Sequence, residues 1–511
     1  MTAMSLYSRR TLISVVVALA LITLIVSFPR SVPDTFHFSP ESPSKPLPSS
    51  PVSNSIYESI VLDSPDKQPT TPPSEPSPIQ ASSTATATPT PTPAPTYGST
   101  SPDRRCEAFP DQGEILLVVK TGATESYDKL PTQLLTNLQC ADDFLIFSDL
   151  EQHIGKYHIH DVLKQVNNDT KASDHFELYR AQQEYQKAHQ DIHALEDDLS
   201  GSLHEHGWTL DKYKFLHMLI DTYHMREDKK WYVFLETDTY LVWSNFLQWV
   251  DKLDASKSLY IGSPAALGSQ IFAHGGSGFM LSGAAMHDFI GRNPEMKMLD
   301  EFDATVKDSC CGDAHLAKFL EEKSGIKTTG AWPMINGEKP ITLPFGPTHW
   351  CSPVMTMHHL TPEEVSTFWQ YEQQRPKIDE LLLFEEIFEF FVEPNLKPER
   401  EDWDNLSKDQ VIESPKPTDD DQPDPEWEEK PMAEKNAFRS FEDCGAFCAS
   451  QPDCFQYVHH GSSCGISKSF KLGQKQPEKN GEKWRSASNM TRIREFTESH
   501  RPCKNVDWIN I

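Results

Sequence analysis

Four short runs of apolar residues have the composition of strands that are buried on both faces. They are Glu114–Gly122, Asp142–Asp149, Trp231–Thr237 and Ser258–Pro264. Polar residues of helical character fill Ala172–Leu199, and apolar residues recur at helical spacing over Leu210–Met225. Because strands alternate with helices, the pattern predicts an α/β fold with a largely parallel sheet.

The first hundred residues have a different pattern. Thr11–Phe28 contains no charged residue, which predicts a transmembrane signal anchor behind a cytosolic tail of residues 1–10. A cleaved signal peptide is the alternative. Residues 29–104 are dense in Pro, Ser and Thr and predict a disordered stem, either O-glycosylated or unmodified.

Cysteines and sequons indicate an oxidising, lumenal setting for the rest of the chain. Ten cysteines are present, and all of them follow the stem. N-glycosylation sequons begin at Asn168, Asn405 and Asn489. The formal net charge of -28 argues against nucleic acid and anionic membrane surfaces as partners.

Two carboxylates follow the third strand, in the triplet Glu236-Thr237-Asp238. In open α/β sheets, ligands bind beyond the carboxyl ends of the strands. Two carboxylates at such a point can share a divalent cation, and that cation can hold a diphosphate. Taken alone, the triplet is more often an exposed acidic turn.

Three later stretches add candidate chemistry, although each also has an ordinary structural explanation. A glycine-rich loop contains Gly275, Gly276 and Gly278, which allow the backbone to approach a ligand closely. Asp313 lies where a helix can begin, so it could simply favour the helix dipole. His358 and His359 precede a helix start at Thr361-Pro362, and a histidine pair there is often structural.

The order of these motifs resembles glycosyltransferase family 31, in its Fringe and core 1 β1,3-galactosyltransferase branch. The resemblance covers roughly residues 105–375. It implies a GT-A (Rossmann-like) catalytic domain that uses a UDP-sugar and Mn²⁺ or Mg²⁺, inverts the anomeric carbon and forms a β1,3 linkage. The anchor and stem match the type II layout of Golgi enzymes whose catalytic domain is lumenal.

The resemblance also assigns roles to matching positions. Metal ligands would be Asp238, Glu236 and His358, with His359 as the alternative to His358. Most members of the family have Asp where this chain has Glu236, which makes Asp238 the firmer ligand. Asp313 would be the general base that deprotonates the acceptor hydroxyl. The nucleotide and donor sugar would lie against Lys120, Thr121, Gly122, Thr237, Gly275, Gly276 and Gly278. Trp350 would either stack on an acceptor sugar or pack in the core.

The C-terminal third carries three further features. Ile378–Leu396 predicts an amphipathic helix docked on a catalytic domain that extends over residues 105–410. Residues 411–435 predict a flexible acidic linker. Residues 436–511 resemble a PAN/apple domain, in which a helix is joined by disulfides to a hairpin. That module would either hold the acceptor or stabilise the enzyme.

Cysteine counting predicts some of the disulfides. We expect Cys106 to pair with Cys140, Cys351 to pair with Cys310 or Cys311, and Cys503 to link back to the catalytic domain. Connectivity among Cys444, Cys448, Cys454 and Cys464 cannot be deduced from spacing.

The sequence therefore favours a glycosyltransferase acting on a glycan or glycoprotein acceptor. One alternative is a non-catalytic chaperone or binding protein on the same fold. The other is an adhesion protein whose acidic motif is structural.

Overall fold

The computed structural model describes residues 36–37, 106, 113–197, 199, 202–293, 295–375, 380–414, 425–478 and 481–511. The predicted cytosolic tail, the predicted anchor and nearly all of the predicted stem lie outside these residues. Within the described part of the chain, no helix combines the length and the apolar composition needed to cross a membrane.

The described chain contains both strands and helices, several of them in consecutive runs of one type. The strands are β1 (Phe36–His37), β2 (Ile115–Lys120), β3 (Phe144–Ser148), β4 (Gln152–Ile154), β5 (Tyr157–Asp161), β6 (Trp231–Glu236), β7 (Tyr240–Leu241), β8 (Tyr260–Gly262), β9 (Pro264–Leu267), β10 (Gln270–Ala273), β11 (Phe279–Ser282), β12 (Thr328–Gly330), β13 (Thr356–Met357), β14 (Glu399–Glu401), β15 (Trp403–Asp404), β16 (Gln410–Glu413), β17 (Gln456–His460), β18 (Ser463–Ser467), β19 (Gln474–Lys475) and β20 (Trp484–Ser488). The helices are α1 (Ser126–Leu135), α2 (Asn168–Lys171), α3 (Glu177–Lys187), α4 (Leu203–Met225), α5 (Trp243–Val250), α6 (Gly283–Phe289), α7 (Glu295–Val306), α8 (Gly312–Ser324), α9 (Pro362–Gln374), α10 (Phe384–Ile387), α11 (Pro425–Glu429), α12 (Met432–Asn436), α13 (Phe441–Ser450) and α14 (Met490–His500).

An eight-stranded sheet in the order β12-β8-β11-β6-β2-β3-β5-β4 forms the centre of the molecule. Strands β6, β2, β3 and β5 are parallel to their neighbours in this run, whereas β11 is antiparallel to both of its neighbours. Edge strand β4 is antiparallel to β5. The prediction of an α/β fold is confirmed, and the expected largely parallel sheet is corrected to a mixed one.

Helices cover both faces of this sheet, which explains why β2 is apolar throughout. Leu116 and Val118 belong to the core shared with α4, α7 and α8. Leu117 and Val119 belong to the opposite core, shared with α1 and α5. A strand buried on both faces carries a continuous apolar run rather than an alternating one. Trp508 and Ile509, from the far end of the chain, also pack against this second core.

The predicted strands and the helix over Leu210–Met225 are confirmed, and that helix begins earlier than expected. Helix α4 starts at Leu203 because the hydroxyl of Ser202 accepts a hydrogen bond from the Glu205 amide at 3.2 Å. The polar region over Ala172–Leu199 forms α3 followed by a 3₁₀ turn, Ile192–Asp197.

The amphipathic helix predicted over Ile378–Leu396 is wrong in extent. The chain is extended at Leu383, and the amide and carbonyl of Leu382 bond the Asn245 side chain at 2.9 and 2.7 Å. Helix α10 follows, then a π-helical turn over Phe388–Val392 and a 3₁₀ turn over Glu393–Asn395. The segment does pack on the rest of the chain, since Leu382, Phe384, Ile387, Phe388 and Val392 belong to a buried core with Tyr240 and Val242, although Phe390 is exposed.

A second sheet, in the order β14-β20-β17-β18-β16, forms the C-terminal part of the described chain. Its edge strand β16 pairs with β18, with Gln410 opposite Ile466. The predicted linker over 411–435 is therefore wrong at both ends, because β16 belongs to this sheet and α11 and α12 follow. Residues 415–424 lie outside the described residues.

Five disulfides connect these elements. Two expectations are confirmed: Cys106 pairs with Cys140, and Cys503 links back to the first part of the chain, where it pairs with Cys351. The expected pairing of Cys351 with Cys310 or Cys311 is wrong, because those two neighbours bond each other. In the C-terminal sheet region, Cys444 pairs with Cys464 and Cys448 with Cys454, so α13 is joined to β18.

Candidate active site

The candidate site lies where β2 and β6 end side by side. Their parallel register places Lys120 opposite Glu236. The Lys120 ammonium lies 3.0 Å from Glu236 Oε1 and 2.5 Å from Asp211 Oδ2, and 4.4 Å from the centre of the Phe215 ring. Burial alone would lower the pKa of Lys120, but Asp211 and Glu236 raise it above the ordinary lysine value. Lys120 is therefore a fixed positive charge at the strand ends.

Asp238, rather than Glu236, lies beside the histidines. A ligand atom from each of Asp238, His358 and His359 lies within 4.8 Å of the others. Glu236 is outside this group and instead forms the ion pair with Lys120. Glu236 therefore faces the buried ammonium, whereas His359, expected only as an alternative to His358, lies beside both Asp238 and His358; metal binding by these residues stays a prediction.

A short pairing of distant segments brings Asp238 and the two histidines together. Strand β13 pairs with β7, with Met357 opposite Tyr240, and this places His358 beside Asp238. His358 Nε2 lies 3.2 Å from Asp238 Oδ1, and the Leu360 amide donates to the Asp238 carbonyl at 3.1 Å. His359 has φ +61°, so the backbone turns sharply and the two imidazole centres lie 3.9 Å apart.

The chemistry of these three side chains fits a divalent cation. His358 is 5% exposed, and its Nδ1 is buried with no hydrogen-bond partner. Burial and the neighbouring His358 lower the pKa of His359 to about 4. Burial would raise the pKa of Asp238, but His358 and Lys129 hold it well below the usual range. At neutral pH His359 is thus neutral and Asp238 is ionised, as metal coordination requires.

The glycine-rich loop connects this group to Asp313. The Gly275 amide donates to Asp313 Oδ2 at 2.8 Å. A Cβ on Gly276 would lie 2.2 Å from His358 Cε1, so only glycine allows the imidazole to approach this closely. Gly278 has φ +84° and its amide bonds the Gly275 carbonyl at 3.0 Å, closing the turn. One loop therefore contacts both the metal-ligand group and the candidate base.

Asp313 is in the first turn of α8, as the sequence predicted. Its carboxylate is 9% exposed and accepts hydrogen bonds from the Gly275 and Ala314 amides, each at 2.8 Å. Burial raises the pKa of Asp313 to about 6, against the opposing effect of the two amides and Lys120. A carboxyl group with this pKa exchanges a proton near neutral pH, which suits a general base.

The remaining predicted nucleotide-binding residues also lie at these strand ends. The hydroxyls of Thr121 and Thr237 are 3.4 Å apart, and the Gly122 amide donates to Glu125 Oε1 at 3.2 Å. Thr121 and Thr237 are buried, whereas Gly122 is partly exposed. The structure therefore brings these predicted residues together at one end of the sheet.

Two charged residues of this site were not predicted, Asp211 and Lys214. Lys214 Nζ donates to the Thr121 carbonyl at 3.0 Å and lies 3.7 Å from Asp149 Oδ1. The sequence does carry a signal for them. Both lie within the same helix, α4, between the apolar residues Leu210 and Phe215, and a charge inside a core helix usually has a partner at a site.

The surroundings of two residues, Trp350 and Asn405, disagree with the roles predicted for them. Trp350 is 2% exposed, and its ring packs against Phe388 and Phe496. This conformation leaves no ring face for a sugar, so core packing accounts for Trp350. Asn405 is 2% exposed and its amide donates to two backbone carbonyls, which makes it unsuitable for a glycan in the folded chain.

The other two sequons are in more open positions. Asn168 is exposed at the start of α2. Asn489 is half-buried and its side-chain oxygen accepts a hydrogen bond from the Arg492 amide at 3.1 Å, capping α14. Attachment of glycans at these two positions stays a prediction.

Comparisons with known proteins add no family assignment. No family model matches the chain, and a search of curated proteins finds no significant match. The functional conclusion therefore depends on the geometry of the site and on the motif order described above.

Proposed function

We propose that this chain is a metal-dependent, inverting glycosyltransferase with a GT-A fold. It would transfer a sugar from a UDP-sugar to a hydroxyl of a glycan or glycoprotein acceptor, forming a β1,3 linkage. One observation carries this proposal. A carboxylate and two imidazoles converge at the carboxyl end of a central strand, and the loop beside them binds a buried carboxylate with a raised pKa.

The donor set favours Mn²⁺ over Mg²⁺. Mg²⁺ prefers oxygen ligands, whereas imidazole nitrogen suits softer divalent ions. Asp238, His358 and His359 would hold the cation, which supplies positive charge to neutralise the departing diphosphate. Lys120, kept protonated by its two carboxylate partners, adds a positive charge on the same side of the sheet.

Asp313 would perform the proton transfer. Its carboxylate accepts the proton of the acceptor hydroxyl as that oxygen forms a bond to the anomeric carbon. The bond between the anomeric carbon and the UDP oxygen breaks, and UDP leaves with the electron pair. The Gly275 amide orients Asp313 Oδ2, and the absence of a side chain at Gly276 lets His358 lie against the same loop.

The proposed setting is the Golgi lumen, with the chain held in the membrane by Thr11–Phe28 as a single-pass type II protein. The five disulfides in the described residues support an oxidising compartment. Protease protection of the intact chain in sealed microsomes tests the orientation. We expect the domain that contains Asp238 to be protected until detergent is added.

A UDP-release assay tests the activity. The full chain is incubated with UDP-galactose, UDP-glucose, UDP-N-acetylglucosamine or UDP-N-acetylgalactosamine, with Mn²⁺ alone or with excess chelator. We expect turnover of one donor that requires Mn²⁺ and is lost in Asp238→Ala. The matched control is Asp228→Ala, which removes an exposed carboxylate in a turn. Equal activity of wild type and Asp238→Ala would contradict the proposal.

Binding measurements separate the enzyme from a non-catalytic protein on the same fold. The Lys120–Glu236 ion pair is the observation that favours this alternative, because it occupies one of the two acidic positions of the motif. A chain that binds Mn²⁺ and UDP but shows no turnover with any donor and acceptor would be a binding protein. A folded chain that binds neither would overturn the metal site itself.

A further inference from the structure

A second cluster of metal-ligating side chains lies at the edge of the central sheet, outside the candidate active site. Strands β4 and β5 form a hairpin at this edge, with His153 opposite His158. In a strand, alternate residues point to the same face. His158 and His160 are thus on one face of β5, while Ile159 and Asp161 are buried on the other.

Glu151 completes this cluster from the residue before β4. One ligand atom each from Glu151, His158 and His160 lies within 4.8 Å of the others. His158 Nε2 contacts Glu151 Oε1, and the imidazole centres of His158 and His160 are 3.9 Å apart. Three different side chains therefore direct one ligand atom each toward a common point.

Surrounding groups hold these side chains in place before any ligand arrives. The Asp161 amide donates to Glu151 Oε2 at 3.0 Å, which leaves Oε1 directed to the histidines. Gln186 on α3 donates to the Glu151 carbonyl at 2.6 Å. The His153 ring stacks on His158 at 4.5 Å and an interplanar angle of 5°. Such supporting contacts are typical of metal sites, where they orient the ligands.

An ordinary surface ion pair does not account for this arrangement. A single exposed His–Glu pair contributes little to stability and needs only one histidine. Here two imidazoles face one carboxylate, and a third ring packs on them.

We propose that Glu151, His158 and His160 form a Zn²⁺ site with a fourth position open to solvent. Zn²⁺ takes imidazole nitrogen and carboxylate oxygen in tetrahedral geometry, and it binds such sites more tightly than Mn²⁺ does. This site is separate from Asp238, because β2 and β3 lie between β6 and β5 in the sheet. The bound ion would join the β3–β4 connection to β5 and stabilise an otherwise free sheet edge.

Zinc stoichiometry of the full chain tests this proposal. The chain is purified without a histidine tag, stripped with chelator, dialysed against Zn²⁺ and analysed for bound metal. We expect His158→Gln/His160→Gln to bind one zinc ion fewer per chain than wild type. The matched control, His287→Gln, removes an exposed histidine outside the cluster and should bind as wild type does. Equal zinc content in the double variant and the wild type would overturn the site.

Two further measurements separate this site from the candidate active site and from misfolding. Asp238→Ala should retain the zinc ion that depends on His158 and His160, so failure of the proposed function leaves this test intact. In the wild-type chain, Zn²⁺ should slow modification of both histidines by diethyl pyrocarbonate, as measured by peptide mapping. Unchanged modification rates at both residues would contradict the proposal without using any variant.

Discussion

The close contact between Gly276 and His358 gives the sharpest prediction for the candidate active site. A Cβ at residue 276 would lie 2.2, 2.5 and 2.9 Å from three atoms of the imidazole, whereas ordinary contact begins at 3.4 Å. In Gly276→Ala the ring or the loop must therefore move by roughly 1.2 Å. Metal sites tolerate ligand displacements of about 0.2 Å. We expect Gly276→Ala to lose His358 as a ligand.

The expected loss of Mn²⁺ affinity is at least about tenfold, since even indirect disturbance of a ligand costs about 10–100-fold. The assay is electron paramagnetic resonance of free Mn²⁺ during titration of the chain. Overpacking should also lower the free energy of unfolding by about 1–3 kcal/mol, which urea denaturation measures separately. A folded Gly276→Ala that binds Mn²⁺ as wild type does would refute this account of the site.

Two other glycines supply matched controls for this experiment. A Cβ on Gly207, within α4, meets no atom within 4 Å, so Gly207→Ala should bind Mn²⁺ normally and gain helix stability. A Cβ on Gly275 would lie 3.0 Å from Phe215 and 3.4 Å from Asp313 Oδ2. We expect Gly275→Ala to retain most Mn²⁺ affinity while turnover falls, because it crowds the base rather than the metal ligands.

Three further predictions concern the same molecule. The pKa of Asp313 is raised to about 6, and a general base must be deprotonated to act. We therefore expect kcat/KM to fall about tenfold per pH unit below pH 6. A kcat/KM that stays constant down to pH 5 would contradict this. Lys120→Met leaves Glu236 without its cation and should lower the free energy of unfolding in urea by about 1–3 kcal/mol, since both carboxylates are partly exposed and Asp211 keeps Lys214; an unchanged free energy of unfolding would argue against the ion pair. Removing the disulfide in Cys351→Ala/Cys503→Ala opens a loop with a sequence separation of 152, so guanidinium denaturation should show a loss of about 5 kcal/mol, and an unchanged midpoint would exclude the bond.

Strand ends could be predicted from the sequence because burial on both faces leaves a clear apolar run. Trp231–Glu236 was identifiable in this way, and its parallel neighbour β2 brings Lys120 to the same edge. Asp313 could be placed at a helix start from local pattern alone. These features depend on short-range periodicity and on a general property of parallel sheets.

Contacts between distant segments could not be predicted in the same way. His358 reaches Asp238 only through the β7–β13 pairing, and the position of His359 depends on its left-handed backbone. Glu236 was expected to bind a metal, yet its carboxylate forms an ion pair with the buried Lys120. No periodic pattern in the sequence predicts that ion pair. The cluster of Glu151, His158 and His160 was not predicted from the sequence. Alternate histidines on one strand are a weak signal alone, and they indicate a site only once the hairpin places the Glu151 carboxylate beside them.

The packing of the far C-terminal segment on the central sheet has a consequence for biosynthesis. Cys351 can form its disulfide only after Cys503 has been synthesised. The second core of the sheet is complete only after Trp508 and Ile509 have packed against it. During translation the first part of a chain usually folds first. Here the sheet that carries the candidate site emerges from the ribosome well before these residues. At that stage part of its second core is exposed to water and the Cys351 thiol is unpaired. We expect chaperones and disulfide isomerases to bind this intermediate until Cys503, Trp508 and Ile509 have been synthesised.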